Sequence, residues 1–170
     1  MCPKFFGGFN NSASYKGIDL GIFLSYSYGN EVYNHNRFFG EGGGARDAAR
    51  IIFASSVDRW QKPGDITDTP RPDGINKNNY KDAGGRWLED GSFIRLRALT
   101  LGYTLPSLLT KKVKLEKVRL SVTGSNLFLI TKYTGLDPES SSSSSQNAQG
   151  IDLGTPPSPR SFQFGINVSL

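Results

Sequence analysis

The sequence has little of what would make a helical membrane protein, a disulfide-stapled domain or a metal enzyme. One cysteine, Cys2, and one histidine, His35, occur in 170 residues. A single thiol closes no internal disulfide and builds no Cys-cluster metal site, and nothing apolar precedes Cys2 to make it a lipid-modified anchor. Long apolar runs are missing too. The longest unbroken aliphatic and aromatic stretch is Leu127–Ile130, against the roughly 20 residues that a membrane-spanning helix needs. Any crossing of a membrane is therefore made by strands. Met1-Cys2-Pro3-Lys4 opens no apolar segment of signal-peptide length, so the expectation is either a cytoplasmic chain or one whose beginning lies upstream.

The charge is +5 and the pI near 9.4, yet the basic residues are scattered except in Lys111-Lys112-Val113-Lys114-Leu115-Glu116-Lys117. That cluster reads as a solvated turn, and no nucleic-acid partner is expected. What is abundant is glycine (20), phenylalanine (11) and tyrosine (7) beside serine, threonine and asparagine. This mixture suits strands and turns better than packed helices.

Alternation supplies the strands. From Phe6 to Tyr15 small and polar residues alternate with Phe9, Ala13 and Tyr15, with a lapse at Asn11. Lys16-Gly17 then separates this stretch from Ile18–Tyr28, where Ile18, Leu20, Ile22, Leu24, Tyr26 and Tyr28 share one face. Two such runs around a two-residue turn predict a hairpin. A third strand is expected over Ser92–Leu105, with a bulge at Ala98 to Leu99 where the apolar parity changes phase. Val118, Leu120, Val122, Phe128 and Ile130 mark a fourth, interrupted by Gly124 and Asn126. Ser161–Leu170, with Phe162, Phe164, Ile166, Val168 and Leu170 on one parity, is the clearest. Residues 29–91 and 131–160 read as long loops. The first holds Arg46–Trp60 as the one predicted short helix, and the second holds the serine run Ser140–Ser145. Short turns at one end of the strands and long loops at the other are the habit of outer-membrane β-barrels.

Several motifs in order resemble the C-terminal segments of the SusC/RagA family of TonB-dependent outer-membrane transporters. They are Phe6-Gly7-Gly8-Phe9-Asn10-Asn11, Tyr15-Lys16-Gly17-Ile18-Asp19-Leu20, Arg86-Trp87-Leu88-Glu89-Asp90-Gly91-Ser92-Phe93-Ile94-Arg95-Leu96 and Leu99-Thr100-Leu101-Gly102-Tyr103-Thr104-Leu105-Pro106. Gly124-Ser125-Asn126-Leu127, Tyr133-Thr134-Gly135-Leu136-Asp137-Pro138-Glu139 and Pro159-Arg160-Ser161-Phe162 continue the match. The resemblance implies an all-β fold: about five C-terminal antiparallel strands of a transmembrane barrel of about 22 strands, with long extracellular loops. Residues 1–170 would be a partial barrel domain without the plug, in the cell outer membrane. The whole protein would import a glycan, a peptide or another large nutrient, partnered by membrane lipids, a SusD-like surface lipoprotein, the TonB complex and the barrel-assembly machinery. Gln163, Gly165, Val168 and Leu170 fit an assembly signal, although the family more often ends in an aromatic residue. The rival expectation is a soluble β-sandwich that binds carbohydrate.

No catalytic, cofactor or metal site is expected. His35 has no partner pattern for catalysis or metal ligation and reads as solvent-exposed. Glu89 and Asp90 are neighbours on an extended segment and point apart, unlike a glycosidase pair, which leaves them a structural role. Ser125 and the serine run lack a histidine to activate them. Asp137, Glu139 and Asp152 match no calcium-loop spacing. Tyr26, Tyr28, Tyr33, Trp60, Trp87 and Tyr133 offer flat aromatic faces near the mouth, against which girdle or loop packing is the preferred reading for most of them; Tyr33, Trp60 and Trp87 are the candidates for solute contact. Arg97 and Arg119, with Arg95, lie on or near parities suited to a hydrated lumen.

Overall fold

The structure, a computed structural model, describes residues 2–41, 53–71, 84–142 and 149–169. It falls into two compact units, one within 3–30, 92–132 and 158–170 and the other within 1–2, 31–91 and 133–157.

The first unit is one antiparallel sheet in the order β1-β2-β5-β6-β8. Its strands are β1 Phe5–Tyr15, β2 Ile18–Tyr28, β5 Phe93–Thr104, β6 Lys117–Thr131 and β8 Ser161–Ser169. β1 and β2 meet through a two-residue turn in which Lys16 (φ 47°) and Gly17 (φ 87°) are both left-handed, the backbone that matches the twist of paired strands. Gly17 is required twice over. Its φ favours glycine, and a Cβ there would lie 2.8 Å from the carbonyl oxygen of Thr104.

Because directly paired residues share a face, the register sorts every side chain. Ala13, Leu20, Leu101, Val122 and Phe164 form one continuous row, and Tyr15, Ile18, Tyr103, Leu120 and Ile166 the next. The opposite face carries Ser12, Gly21, Thr100, Thr123 and Gln163 in one row. Over these rows one side of the sheet is hydrocarbon and the other hydroxyl, amide and glycine, while toward the opposite end of the strands the polar side also carries Phe6, Phe23, Phe93 and Leu129. Phe164 (81%), Ile166 (70%) and Phe162 (66%) on the hydrocarbon side are exposed. That counts against the sandwich, whose core would be this face.

The bulge sits one residue earlier than the parity change suggests. Leu96 pairs with Leu24 and Ala98 with Phe23, so Arg97 is the extra residue of β5. Opposite it, Asn126 and Leu127 stand between the partners of Ala98 and Leu96, Asn126 has φ 54°, and the Leu127 side chain covers Gly124.

The second unit contains the short strands β3 Glu31–Asn34, β4 Leu88–Asp90 and β7 Ile151–Asp152, in the order β4-β3-β7. β3 pairs antiparallel with β4 and parallel with β7, which joins the two long connections through backbone bonds. The helix expected over Arg46–Trp60 is not present where it can be described. Ala54–Asp58 is a 3-10 turn and Arg59 forms a bridge with Thr69, while residues 46–52 lie outside the described residues. A seven-residue helix, α1 His35–Glu41, follows β3 instead.

Candidate functional site: a polar sheet face and a cross-tied loop unit

On the polar face, Arg119 of β6 reaches over β5 to Asp19 of β2. Its Nε donates to Asp19 Oδ1 at 3.1 Å and its Nη2 to Oδ2, making a two-pronged pair. Gly102, which pairs with Asp19, makes room for this, since a Cβ there would collide with both the guanidinium and the carboxylate. Further along the same face Arg97 Nε donates to Ser25 Oγ at 2.9 Å, and the Thr100 and Thr123 hydroxyls lie 3.0 Å apart. Bulging turns Arg97 toward serine rather than toward the hydrocarbon side. This face can hold water and contact polar solutes, and it carries no acid–base or nucleophile pair.

The loop unit is built around Glu89. Its carboxylate accepts from Arg37 Nη1 (2.8 Å), Asn34 Nδ2 (3.2 Å) and the backbone N–H of Thr134 (2.9 Å). Arg37 also donates from Nε and Nη2 to Glu41, which takes a further bond from Ser55 Oγ at 2.8 Å. Burial pushes both glutamates up, but the bonds from Arg37, with Thr134 at Glu89 and Ser55 at Glu41, outweigh it and hold them below the usual carboxylate range. Arg37 is correspondingly held further into its charged form by Glu41, against desolvation, with Glu89 adding to the effect. Tyr133 is raised by burial and by the hydrogen bond from its hydroxyl to Asp152 at 2.7 Å.

The residues expected from sequence are scattered across both units. Tyr33 lies in β3, half-buried, its ring edge-on to His35 at 5.7 Å. His35 is itself stacked on Phe39 at 4.4 Å, so it is a packed member of an aromatic cluster and not the solvated loop histidine expected. Trp60 is half-buried, and its backbone N–H bonds the Thr69 carbonyl at 2.7 Å. Beside it an open cleft of about 550 Å³ is lined by Val57, Asp58, Arg59, Asp65 and Ile66, among others. Trp87 is fully buried between the Arg86 guanidinium (4.8 Å), Arg37 and Phe38. An indole with no accessible surface packs its unit and offers no face to a ligand. Tyr133 is buried as well, while Tyr26 and Tyr28 are exposed on the hydrocarbon face, where Phe5 stacks on Tyr28 at 4.9 Å. Gln163 and Gly165 lie on the polar face of β8 and Val168 on the hydrocarbon face, paired with Val118. Leu170 lies outside the described residues.

Glu89 has the structural place expected of it. Its main partner, Arg37, carries no periodic signal, because the two are 52 residues apart and meet only through the pairing of β3 with β4. Asp137 and Asp152 cap local backbone N–H groups, and no cluster suited to a metal ion occurs among the described residues.

An antiparallel sheet of 9- to 15-residue strands, apolar and exposed on one side, polar on the other, with connections alternately short and long, is a stretch of transmembrane β-barrel wall. The comparisons with known proteins agree. The chain is 36% identical to TonB-dependent receptor P3 of Formosa agariphila, over 99% of this chain and 16% of that receptor. It is 38% identical to the TonB-dependent receptor SusC of Bacteroides thetaiotaomicron over 49% of this chain and 8% of that protein. The structure of the RagAB peptide importer in its open-open state superposes with a TM-score of 0.78 at 28% identity, covering 99% of this chain and 17% of that one. No family model matches. The chain belongs to the SusC/RagA type of TonB-dependent receptors and spans about 16% of the length of the first of these relatives. Those relatives are receptors and importers, not enzymes.

Proposed function

We propose that this chain is part of the wall and the outer loop platform of an outer-membrane importer for a glycan, a peptide or another large nutrient. A SusD-like lipoprotein would close over it and the TonB complex would energise it through other parts of the protein. The observation that carries this reading is the two-faced sheet, with its exposed rows of Leu, Val, Ile and Phe on one side and Asp19, Arg97 and Arg119 on the other. In lipid the first face is solvated by acyl chains and the second by lumen water; in water alone the first would aggregate. Arg97 and Arg119 would line the solute's path, and Tyr33 and Trp60 would belong to the mouth. Gln163, Gly165, Val168 and Leu170 would present the final strand to the barrel-assembly machinery.

β1 and β8 are each paired on one side only among the described residues, and a sheet edge in lipid must be satisfied. The sheet therefore works as an arc of a larger closed barrel. The test is to express the whole protein containing this chain and fractionate the cells. It should sediment with outer membranes and migrate faster on gels unheated than boiled. Recovery as a soluble, folded monomer would sink the proposal.

A further inference from the structure

The lysine cluster that reads as a solvated turn does not end in solvent alone. β5 and β6 are joined by a short helix, α2 Ser107–Thr110, and a 3-10 turn, Lys111–Val113. This connector is tied at both ends and in its middle: Leu105 N–H bonds the Val118 carbonyl (2.9 Å), Leu115 N–H that of Thr110 (3.0 Å), and Glu116 N–H that of Ser169 (2.9 Å). Thr110 is buried and its hydroxyl bonds the Ser107 carbonyl. Leu108 is nevertheless 81% exposed and Leu109 54%. A rigid connector that holds two leucines out is not a simple hydrated loop.

Next to those leucines in the chain are the exposed residues Lys111, Lys112, Lys114 and Lys117, opposed by Glu116 within the connector and, for Lys117, by Asp19 of β2. The β1–β2 turn lies at the same end of the sheet, because Thr104 N–H bonds the Gly17 carbonyl at 2.7 Å. It adds Lys16, whose Nζ lies 5.1 Å from the Tyr15 ring centre. The hydrocarbon face runs into this basic end without a break: its row of Tyr15, Ile18 and Tyr103 sets an aromatic ring on either side of Ile18, and Val118 and Val168 follow. Apolar wall, then aromatic rings, then exposed leucines among lysines is the order in which hydrocarbon, interface and phosphate occur across a bilayer leaflet.

We propose that the 105–117 connector, with Lys16, is a docking surface for the anionic phospholipid headgroups of the leaflet in which these short turns end. Leu108 and Leu109 seat at the acyl boundary, and Lys111, Lys112 and Lys114 contact the phosphates. The proposal rests on the membrane reading above. It is tested on the whole receptor, purified in detergent and exchanged into mixed phosphatidylcholine and phosphatidylglycerol, with retained lipid counted by native mass spectrometry. Wild type should retain phosphatidylglycerol preferentially. Each lysine near an anionic surface contributes about fivefold, so K111Q/K112Q/K114Q should lose that preference by at least tenfold and L108S/L109S should weaken retention of both lipids. A triple variant with unchanged phosphatidylglycerol preference, or a wild type with none, overturns the proposal. Unheated gel mobility is read on the same samples, so a failure of the barrel itself appears there and is distinguished from a failure of lipid recognition.

Discussion

Replacing Glu89 by alanine should open the loop unit while leaving the sheet intact. The substitution removes the acceptor for Arg37 Nη1, Asn34 Nδ2 and Thr134 N–H at 2.8, 3.2 and 2.9 Å. Hydrogen bonds to a charged group contribute about 1.5–3 kcal/mol each. Arg37 is 29% exposed at its side chain and can recover water, so the low end applies to each of the three, and a loss of about 4.5 kcal/mol follows, or a roughly 2,000-fold rise in local opening. Glu89→Gln keeps an acceptor for Thr134 but not the charge opposite Arg37, and should cost about half as much. Hydrogen exchange of the whole receptor in detergent reads this out, following peptides over 31–41 and 84–91 with 18–28 as reference. The sign with pH follows from the depressed Glu89 and Glu41 carboxyls. Their contribution is complete above the ordinary glutamate range and is lost as pH falls through the depressed values, so acid should mimic Glu89→Ala. Unchanged exchange over 31–41 in the alanine variant, or equal loss over 18–28, would refute the idea that this carboxylate ties the loops.

Three further outcomes are expected. Gly102→Val places a branched Cβ against the Arg119–Asp19 pair and should lower the temperature of gel-mobility conversion, at a cost of about 1–3 kcal/mol, whereas Gly21→Ala, whose nearest neighbour is Thr100 Cβ at 3.8 Å, should leave it nearly unchanged. Val122→Arg on the hydrocarbon face should destabilise the folded protein in bilayers by about 2–4 kcal/mol, while Ser12→Arg on the polar face should be tolerated; equal effects in a urea titration would contradict the assignment of faces. Tyr133→Phe deletes the 2.7 Å bond to buried Asp152 and should raise exchange over 149–157 by about tenfold, for a loss of roughly 1–2 kcal/mol.

The strands were legible because a period of two is a local signal, written into neighbours such as Phe162, Phe164 and Ile166 wherever one face meets hydrocarbon and the other water. Every expected strand of the sheet lies within one residue of its observed limits. The loop unit was not legible. β3, β4 and β7 are two to four residues long, too short to show a period, and they are held by pairs such as Arg37–Glu89 whose members are far apart in the chain. Trp87 shows what the sequence leaves open: a flat aromatic face suits either ligand stacking or packing, and the fold takes the second, with that ring inside, beside two guanidinium groups.

The bulge shows how one residue reconciles a local pattern with a global face. In β5, Ile94 and Leu96 occupy one parity and Leu99, Leu101 and Tyr103 the other, so an unbroken strand would turn one set into the polar lumen. Placing Arg97 out of register shifts the phase, and both sets then pair with hydrocarbon-face partners: Tyr26 and Leu24 on one side of it, Ile22, Leu20 and Ile18 on the other. The residue left over is the one that gains from the polar side, since a guanidinium on the hydrocarbon face would be costly and here it bonds Ser25. The parity change in the sequence is thus a consequence of the membrane, which tolerates an unpaired backbone step more readily than three misplaced apolar side chains. Its position at Arg97, not at Ala98, leaves that guanidinium on the polar side with Ser25, the same face on which Arg95 pairs with Ser25.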